Sequence, residues 1–425
     1  MNQKIIDKIQ SLHKKGFFYI FGSGVLNKII GFMSSAILVR IITKEEYGVF
    51  TYAWNIFSFI LLLNGFGISY GILQICSEKS EDYDLNYKIF KWGQKFGISI
   101  DMIIAILIIC IALFIPLPIH NANYVLGLLC IMPIFILIFE MQSSYLRANK
   151  LSIEFSKISM LNTFLIFLFS VIGAYIFKEF GLIYGRYIAY FITIIYSAKF
   201  IKKGTDRVKE LDINTKLKNE IKNISFTSMI NSGLSQVLYL FDIFVIGLVI
   251  SSESTIASYK IATMIPSALS FIPLSLVTFI YPYFAQKYKD KKWCLSKYNM
   301  LTFYFGIFNL IISAVLFVFA PWIITILFGP EYLDAITSFR ILTVSYFFSG
   351  TFRVIAGNIL VTQKELKFNM FVAIFSGLVN IVVDFYFIKL WGANGAAIAT
   401  LLVVILTSIL NVAYLIYRLK AKGDR

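Results

Sequence analysis

The stretch Phe21–Trp54, FGSGVLNKIIGFMSSAILVRIITKEEYGVFTYAW, contains an apolar helix, a short charged turn and the start of a second apolar helix. It recurs 209 residues later without a gap. The matched residues are Ser23 and Ser232, Gly24 and Gly233, Asn27 and Gln236, Ile41 and Ile250, Gly48 and Ala257, Phe50 and Tyr259, and Ala53 and Ala262. In a membrane protein, a repeat of half the chain length is typical of a transporter built from two related bundles.

The composition indicates a polytopic membrane protein. The chain of 425 residues is 58% hydrophobic and only 15% charged, with a mean hydropathy of +0.78. Soluble domains are about half apolar and about a quarter charged. The apolar runs are also too long and too many for a series of globular domains.

Twelve apolar runs are long enough to cross about 30 Å of hydrocarbon, and each predicts one helix because irregular backbone cannot face lipid. The predicted spans are 17–42, 48–75, 94–115, 122–145, 155–177, 181–200, 222–250, 255–285, 298–328, 336–361, 368–389 and 395–417. We therefore expect an all-α fold of two six-helix lobes, 1–200 and 222–425, with a basic linker over 201–221. Six crossings are an even number, so the two lobes are parallel repeats related by an axis along the membrane normal.

The positive charge follows the topology and does not indicate nucleic acid. Most of the 39 Lys and Arg residues fall in the termini and in alternate connections, which is the positive-inside pattern. Both termini are therefore predicted to be cytoplasmic. The linker region from Lys199 to Lys222 carries eight Lys or Arg residues and is expected to lie on anionic headgroups. Aromatic residues are not interleaved with a basic patch, which argues against nucleic-acid binding.

Catalytic and metal-site motifs are absent from the sequence. The four cysteines have no CxxC spacing, there are two histidines, and no phosphate-binding loop is present. We expect no catalytic residue, metal or cofactor. The longest predicted outer connection, Gly329–Ala335, is too short to hold the active site of a membrane-embedded glycan polymerase.

Ionisable residues at membrane depth are costly and are functional candidates by default. The basic candidates are Lys28, Arg40, Arg186, Lys260 and Arg353, and the acidic ones are Asp101, Glu140, Asp242 and Asp384. Each of these residues either lines a transport pathway through the protein or forms a structural ion pair inside a helix bundle. Asp242 and Lys260 lie on adjacent antiparallel helices and are predicted to pair, whereas Arg40 fits a headgroup anchor. The slight excess of cations suits an anionic ligand such as a diphosphate.

The second helix of each half is interrupted at an equivalent depth. The interrupting residues are Gly65, Gly67 and Gly71 in the first half and Pro266, Pro273 and Pro282 in the second. Glycine loosens a helix and proline removes one of its hydrogen bonds. These positions indicate either ordinary packing or a hinge in each lobe.

Further matches extend the repeat to the end of each half. Lys150 matches Lys364, and Gly185, Ile188 and Ala189 match Gly395, Ile398 and Ala399. With these segments in place, the chain resembles the Wzx-type polysaccharide and O-antigen flippases of the multidrug/oligosaccharidyl-lipid/polysaccharide exporter superfamily. The segments that carry the resemblance are LVRIITKEEYGVFTYA from Leu38 to Ala53, SYKIAT from Ser258 with Pro266, LRANK ending at Lys150, and WGANGAAIAT from Trp391.

The resemblance implies a MATE-like fold with a central cavity and alternating access. It implies transport of an undecaprenyl-diphosphate-linked oligosaccharide across a bacterial cytoplasmic membrane for O-antigen or capsule assembly. Membrane lipids, a polysaccharide polymerase and a chain-length regulator are the implied partners. The residues we assign to the substrate pathway are Lys28, Arg353, Lys260, Arg186, Arg40, Asn27 and Gln236, with Asp242, Glu140 and Asp384 as coupling or pairing acids. The alternative is a cation- or proton-coupled exporter of small amphipathic compounds, which the lack of an acid between Gly16 and Arg40 disfavours.

Overall fold

The computed structural model describes residues 17–79, 82–201 and 213–420. All regular elements in these ranges are helical. The chain divides into two compact units, with the boundary between Leu240 and Phe241.

The first unit contains seven complete helices and most of an eighth. They are α1 (Phe17–Ile41), α2 (Lys44–Leu61), α3 (Ile68–Glu78), α4 (Tyr83–Phe114), α5 (Ala122–Leu128), α6 (Met132–Ala148), α7 (Ser152–Ile201) and α8 (Thr215–Ile250) up to Leu240. A short turn, Asn64–Gly67, joins α2 to α3. The core of this unit is formed by isoleucines of α3 and α4 together with Leu137 and Ile221.

The second unit contains the end of α8 and the remaining helices. These are α9 (Glu253–Leu269), α10 (Phe271–Gln286), α11 (Lys291–Val318), α12 (Ala320–Leu327), α13 (Ile336–Phe348), α14 (Val354–Thr362) and α15 (Leu366–Lys420). A π-helical segment, Ser349–Arg353, joins α13 to α14, and Pro330–Ala335 form a 3-10 turn.

Seven helices of the described ranges are long and apolar enough to cross a membrane, or nine if two bent helix pairs each count as one span. The chain is therefore a multi-pass membrane protein. At 1.5 Å per residue, α7 and α15 would be roughly 75 and 83 Å long, more than twice the hydrocarbon thickness. Both contain a sharp break, at Phe177–Lys178 and at Gly392, which divides each into two parts. The count of twelve spans stays a prediction.

Helix caps confirm the repeat near the start of each half. Thr43 caps α2 by accepting a hydrogen bond from Glu46 N at 3.2 Å, and Ser252 caps α9 by accepting one from Thr255 N at 3.3 Å. The two caps are 209 residues apart, the same offset as in the sequence match. A side-chain acceptor at this position satisfies an amide that the helix leaves unpaired.

The match between the ends of the two halves needs a correction. Lys150 and Lys364, both with positive φ, are 214 residues apart, and so are the breaks at Lys178 and Gly392. This offset places Gly181, rather than Gly185, at the position of Gly395. The sequence match was one helical turn out because a shift of four residues keeps the same helix face.

Helices α4 and α11 begin earlier than predicted. The apolar runs start at residues 94 and 298, but the helices start at Tyr83 and Lys291. Asp82 and Asp290 cap them by accepting hydrogen bonds from backbone amides at 2.9 Å. The first turns are polar, so hydropathy alone does not reveal them.

Candidate functional site

Arg186 of α7 lies against aromatic side chains of α2. Its guanidinium carbon is 4.2 Å from the centre of the Trp54 ring and 5.8 Å from that of Phe50. The side chain is half-buried, and its Nε atom is buried without a hydrogen-bond partner within the part of the chain that the structure describes. A guanidinium on an indole face is stabilised by the ring quadrupole, by about 2 kcal/mol or more when desolvated. The arrangement holds a positive charge without neutralising it.

An ion pair between Lys178 and Glu46 lies about two helical turns before Arg186. Lys178 Nζ lies 2.5 Å from Glu46 Oε1, and Glu46 belongs to the capping box at the start of α2. Arg186 and Trp54 each come eight residues later, about 12 Å along their helices. The ion pair and the contact of the guanidinium with the indole therefore fit one register between α2 and α7.

A second cluster, in the second unit, is acidic. We call Asp242, Tyr259, Asn380, Asp384 and Thr400 the acid cluster. Tyr259 Oη and Thr400 Oγ1 both donate to Asp242 Oδ2, at 2.5 and 3.0 Å. The carboxyl group of Asp384 faces that of Asp242, with Asn380 beside it one helical turn earlier. Asp384 is fully buried, and neither of its carboxyl oxygens accepts a hydrogen bond from a described residue.

The acid cluster lacks a basic partner among the described residues. The predicted pair of Asp242 and Lys260 is wrong, because no ion pair joins their side chains. Successive residues of a helix point about 100° apart, and Tyr259 takes the side that faces Asp242. Lys260 consequently points elsewhere. Two facing carboxylates without a cationic side chain require a shared proton or a bound cation.

A third group of acids lies in the first unit, beside the turn that joins α2 to α3. Asp101 of α4 is fully buried, and its Oδ1 accepts a hydrogen bond from Gly65 N at 2.7 Å. Glu140 of α6 lies near both Asp101 and Ser69. These contacts tie the turn to α4 and the start of α3 to α6.

The sequence of the chain matches a known protein family. The model of the family described as polysaccharide biosynthesis protein matches residues 37–337. The chain belongs to this family. The match confirms the resemblance drawn from the sequence at the level of polysaccharide biosynthesis. A comparison with curated proteins finds no match.

Solved structures of membrane transporters share the fold of this chain. The inward-facing conformation of a multidrug resistance MATE family transporter is similar, with a TM-score of 0.78, 15% identity, and coverage of 93% of this chain and 95% of that one. The lipid II flippase MurJ gives a TM-score of 0.72 at 16% identity, covering 95% and 87%. A MOP superfamily transporter from Pyrococcus furiosus gives 0.61 at 15% identity, covering 96% and 94%. Two of these similar proteins are transporters and one is a flippase.

The remaining predicted pathway residues of this family member are dispersed. Asn27 donates to Ser159 Oγ at 2.7 Å, which joins α1 to α7. Lys28 and Arg40 are both exposed on α1, but they are twelve residues, or about 18 Å, apart. Gln236 is exposed on α8. That any of these lines a transport pathway stays a prediction.

Arg353 ends the π-helical segment of the second unit and is half-buried. Asn309 holds this segment, because its Nδ2 donates to Thr351 Oγ1 at 3.1 Å and its Oδ1 accepts from Tyr346 Oη at 3.1 Å. π-Helical turns inside α-helices are frequent at functional sites. The segment gives Arg353 a fixed backbone.

The predicted breaks differ between the two halves. The first half is bent by 41° between α2 and α3, with Gly65 and Gly67 at positive φ. In the second half, Pro266 lies inside α9 and Pro273 near the start of α10, and the two helices qualify together as one span. That either position acts as a hinge stays a prediction.

Sequence reasoning missed the neutral members of both sites. Trp54, Asn380 and Thr400 carry no charge and were not singled out. Two signals were available: Asn380 is one turn before Asp384, and Trp54 is one turn after Phe50 on the repeated stretch. Tyr259 was recognised only as the repeat partner of Phe50.

Proposed function

We propose that this chain is a flippase for an undecaprenyl-diphosphate-linked oligosaccharide. The observation that carries the proposal is Arg186 on the faces of Trp54 and Phe50. A guanidinium binds phosphate oxygens through paired N–H donors. The Trp54 and Phe50 rings hold the guanidinium in place, and its Nε atom has no hydrogen-bond partner among the described residues, so it is a suitable contact for a diphosphate. The polysaccharide biosynthesis family supports the same substrate class.

In this proposal, the chain works by alternating access in the bacterial cytoplasmic membrane. Both termini are cytoplasmic, as the distribution of Lys and Arg predicts. Lys28, Lys260, Arg353 and Arg40, with Asn27 and Gln236, are proposed further contacts of the substrate along the pathway. A ligand shifts the equilibrium between inward and outward states only by its difference in affinity for the two. A polysaccharide polymerase and a chain-length regulator are proposed to act on the transported product.

We further propose that the acid cluster couples transport to a monovalent cation or a proton. Asp242 and Asp384 supply negative charge, and Thr400 and Asn380 supply neutral oxygen atoms beside them. Oxygen ligands are those that hard cations prefer. Occupation of this cluster compensates the repulsion between the two buried carboxyl groups, so the ion stabilises the conformation in which they face each other.

The test of the substrate uses two substitutions of Arg186 in a strain whose surface polysaccharide depends on this chain. Arg186→Gln removes the charge, and Arg186→Lys keeps it while losing the planar fork. Loss of a hydrogen bond to a charged group costs about 1.5–3 kcal/mol, or roughly a 10- to 150-fold loss of affinity. We expect surface polysaccharide to fall strongly in the Gln variant and partly in the Lys variant, at unchanged protein level. Normal polysaccharide in the Gln variant contradicts the proposal.

The acid cluster also favours a second candidate, a cation-coupled exporter of small amphipathic compounds. Two paired measurements on a deletion strain separate the candidates: a gel of surface glycans and a panel of drug sensitivities. A flippase deletion loses surface glycan and keeps its drug resistance. An exporter deletion gives the opposite result.

A further inference from the structure

The turn between α2 and α3 has an unusual backbone. Gly65, Phe66 and Gly67 all lie in the left-handed region, with φ of 51°, 47° and 70°. Glycine adopts this region readily, but an L residue such as Phe66 does so at a cost. A conformation of this kind persists only when the surroundings hold it.

Asp101 is the group that holds the turn. Its Oδ1 accepts the hydrogen bond from Gly65 N at 2.7 Å. A break in a helix leaves backbone amides without their usual partners, and inside a membrane an unpaired amide is costly. Asp101 is fully buried on the adjacent helix α4, so its carboxylate replaces the missing intrahelical acceptor at this point.

Beyond the turn, α3 packs closely against the first part of α8. A Cβ atom on Gly67 would lie 2.6 Å from the Ser225 carbonyl oxygen, and one on Gly71 would lie 2.8 Å from that of Ile221. The two glycines are four residues apart and therefore share one helix face. Small residues at this spacing let the backbones of two membrane helices approach closely. Ile221 and Ile72 are fully buried in the same core.

We propose that α3 is a gate helix. It seats on Ile221 and Ser225 through Gly71, it swings about Gly65–Gly67, and Asp101 is the latch that holds the seated form. The seat lies at the ends of α3 and α8 that are predicted to be cytoplasmic. The proposal rests on the alternating access of the proposed function but not on its substrate. Asp101 is thus a positioning residue that acts through the backbone of the turn.

The experiment measures whether α3 is seated on α8 from the labelling rate of an introduced cysteine. Ser225→Cys is introduced after Cys76, Cys110, Cys130 and Cys294 have been replaced by alanine, and inverted vesicles are treated with a membrane-impermeant maleimide. Ser225 is only 1% exposed, so the seated form protects the reporter. Asn223→Cys, at an exposed position of the same helix, is the control reporter.

Two substitutions of the latch distinguish its hydrogen bond from its charge. Asp101→Asn keeps an oxygen acceptor for Gly65 N, whereas Asp101→Leu removes it. We expect the Leu variant to raise the labelling rate of the Ser225 reporter about tenfold, the population change expected from loss of one such hydrogen bond. The Asn variant should stay within about twofold of the parent, and the Asn223 reporter should be unchanged throughout.

Two results would overturn the latch: a Leu variant that labels like the parent, or an Asn variant that labels like the Leu variant. If the Leu variant does not fold, Phe66→Gly supplies an independent test, because it relieves the left-handed strain and should slow labelling below that of the parent. Unchanged or faster labelling in Phe66→Gly also overturns the proposal. The assay contains no glycan, so failure of the proposed substrate leaves its outcome unaffected.

Discussion

Replacing Asp384 by Asn tests the chemistry of the acid cluster directly. In the parent protein the two facing carboxyl groups repel each other unless an ion or a proton lies between them. An ion that binds only the folded state stabilises it by about 2.7 kcal/mol at one hundred times its dissociation constant. For a unit of the size of Phe241–Arg425, each 1 kcal/mol corresponds to about 2–4 °C. Saturation should therefore raise the melting temperature of the parent by roughly 5–11 °C.

The assay is thermal unfolding of the purified protein in detergent. Sodium chloride replaces choline chloride at constant ionic strength, and in a second series the pH falls from 8 to 6 without sodium. Asp384→Asn should lose the rise in melting temperature that sodium or a lower pH causes in the parent protein. Without sodium at pH 8, the variant should be more stable than the parent, because it contains a single carboxylate and so needs neither an ion nor a shared proton.

The control is Asp290→Asn, the same change at the exposed N-cap of α11. Asn caps a helix about as well as Asp, so this variant should keep the full increment of the parent. An Asp384→Asn protein that keeps the increment would refute the reasoning. A parent protein that responds to neither sodium nor pH would refute it as well.

Two further predictions concern packing and the pathway. Gly181→Ala places a methyl group against the backbone of Gly173 and should lower the free energy of unfolding by about 1–3 kcal/mol or more. In Gly127→Ala the new Cβ would lie 3.6 Å from Ala112 Cβ, an ordinary contact, so the free energy of unfolding should change by less than about 0.5 kcal/mol. Thermal unfolding of both variants checks this, and equal melting temperatures would contradict it. Lys28→Ala and Arg353→Ala should each lower surface polysaccharide without lowering the protein level. Normal surface polysaccharide in both would remove these residues from the pathway.

The sequence predicted those features of the fold that depend on short segments of the chain. The repeat, the position of most spans and the break at Gly65 and Gly67 were all visible in the sequence, because hydropathy and backbone freedom are properties of short segments. The partner of a buried charge is different, since it depends on how helices rotate against each other. The sequence places Asp242 and Lys260 at similar depths, yet the side chain that reaches Asp242 is Tyr259, one residue before Lys260. Sequence spacing contains no information on that rotation.

The two candidate sites lie at equivalent positions of the duplicated fold. Phe50 and Tyr259 match at the offset of 209, and Arg186 and Thr400 match at the offset of 214 that the breaks at Lys178 and Gly392 define. In the first unit this position holds a guanidinium against the aromatic ring of Phe50. In the second unit it holds the Thr400 and Tyr259 hydroxyls that donate to Asp242. Duplication followed by a change of a few side chains has therefore turned one helix arrangement into two sites of opposite charge. The proposed cation site in the second unit and the proposed anion site in the first would together allow the transport of an anionic cargo to be coupled to an ion.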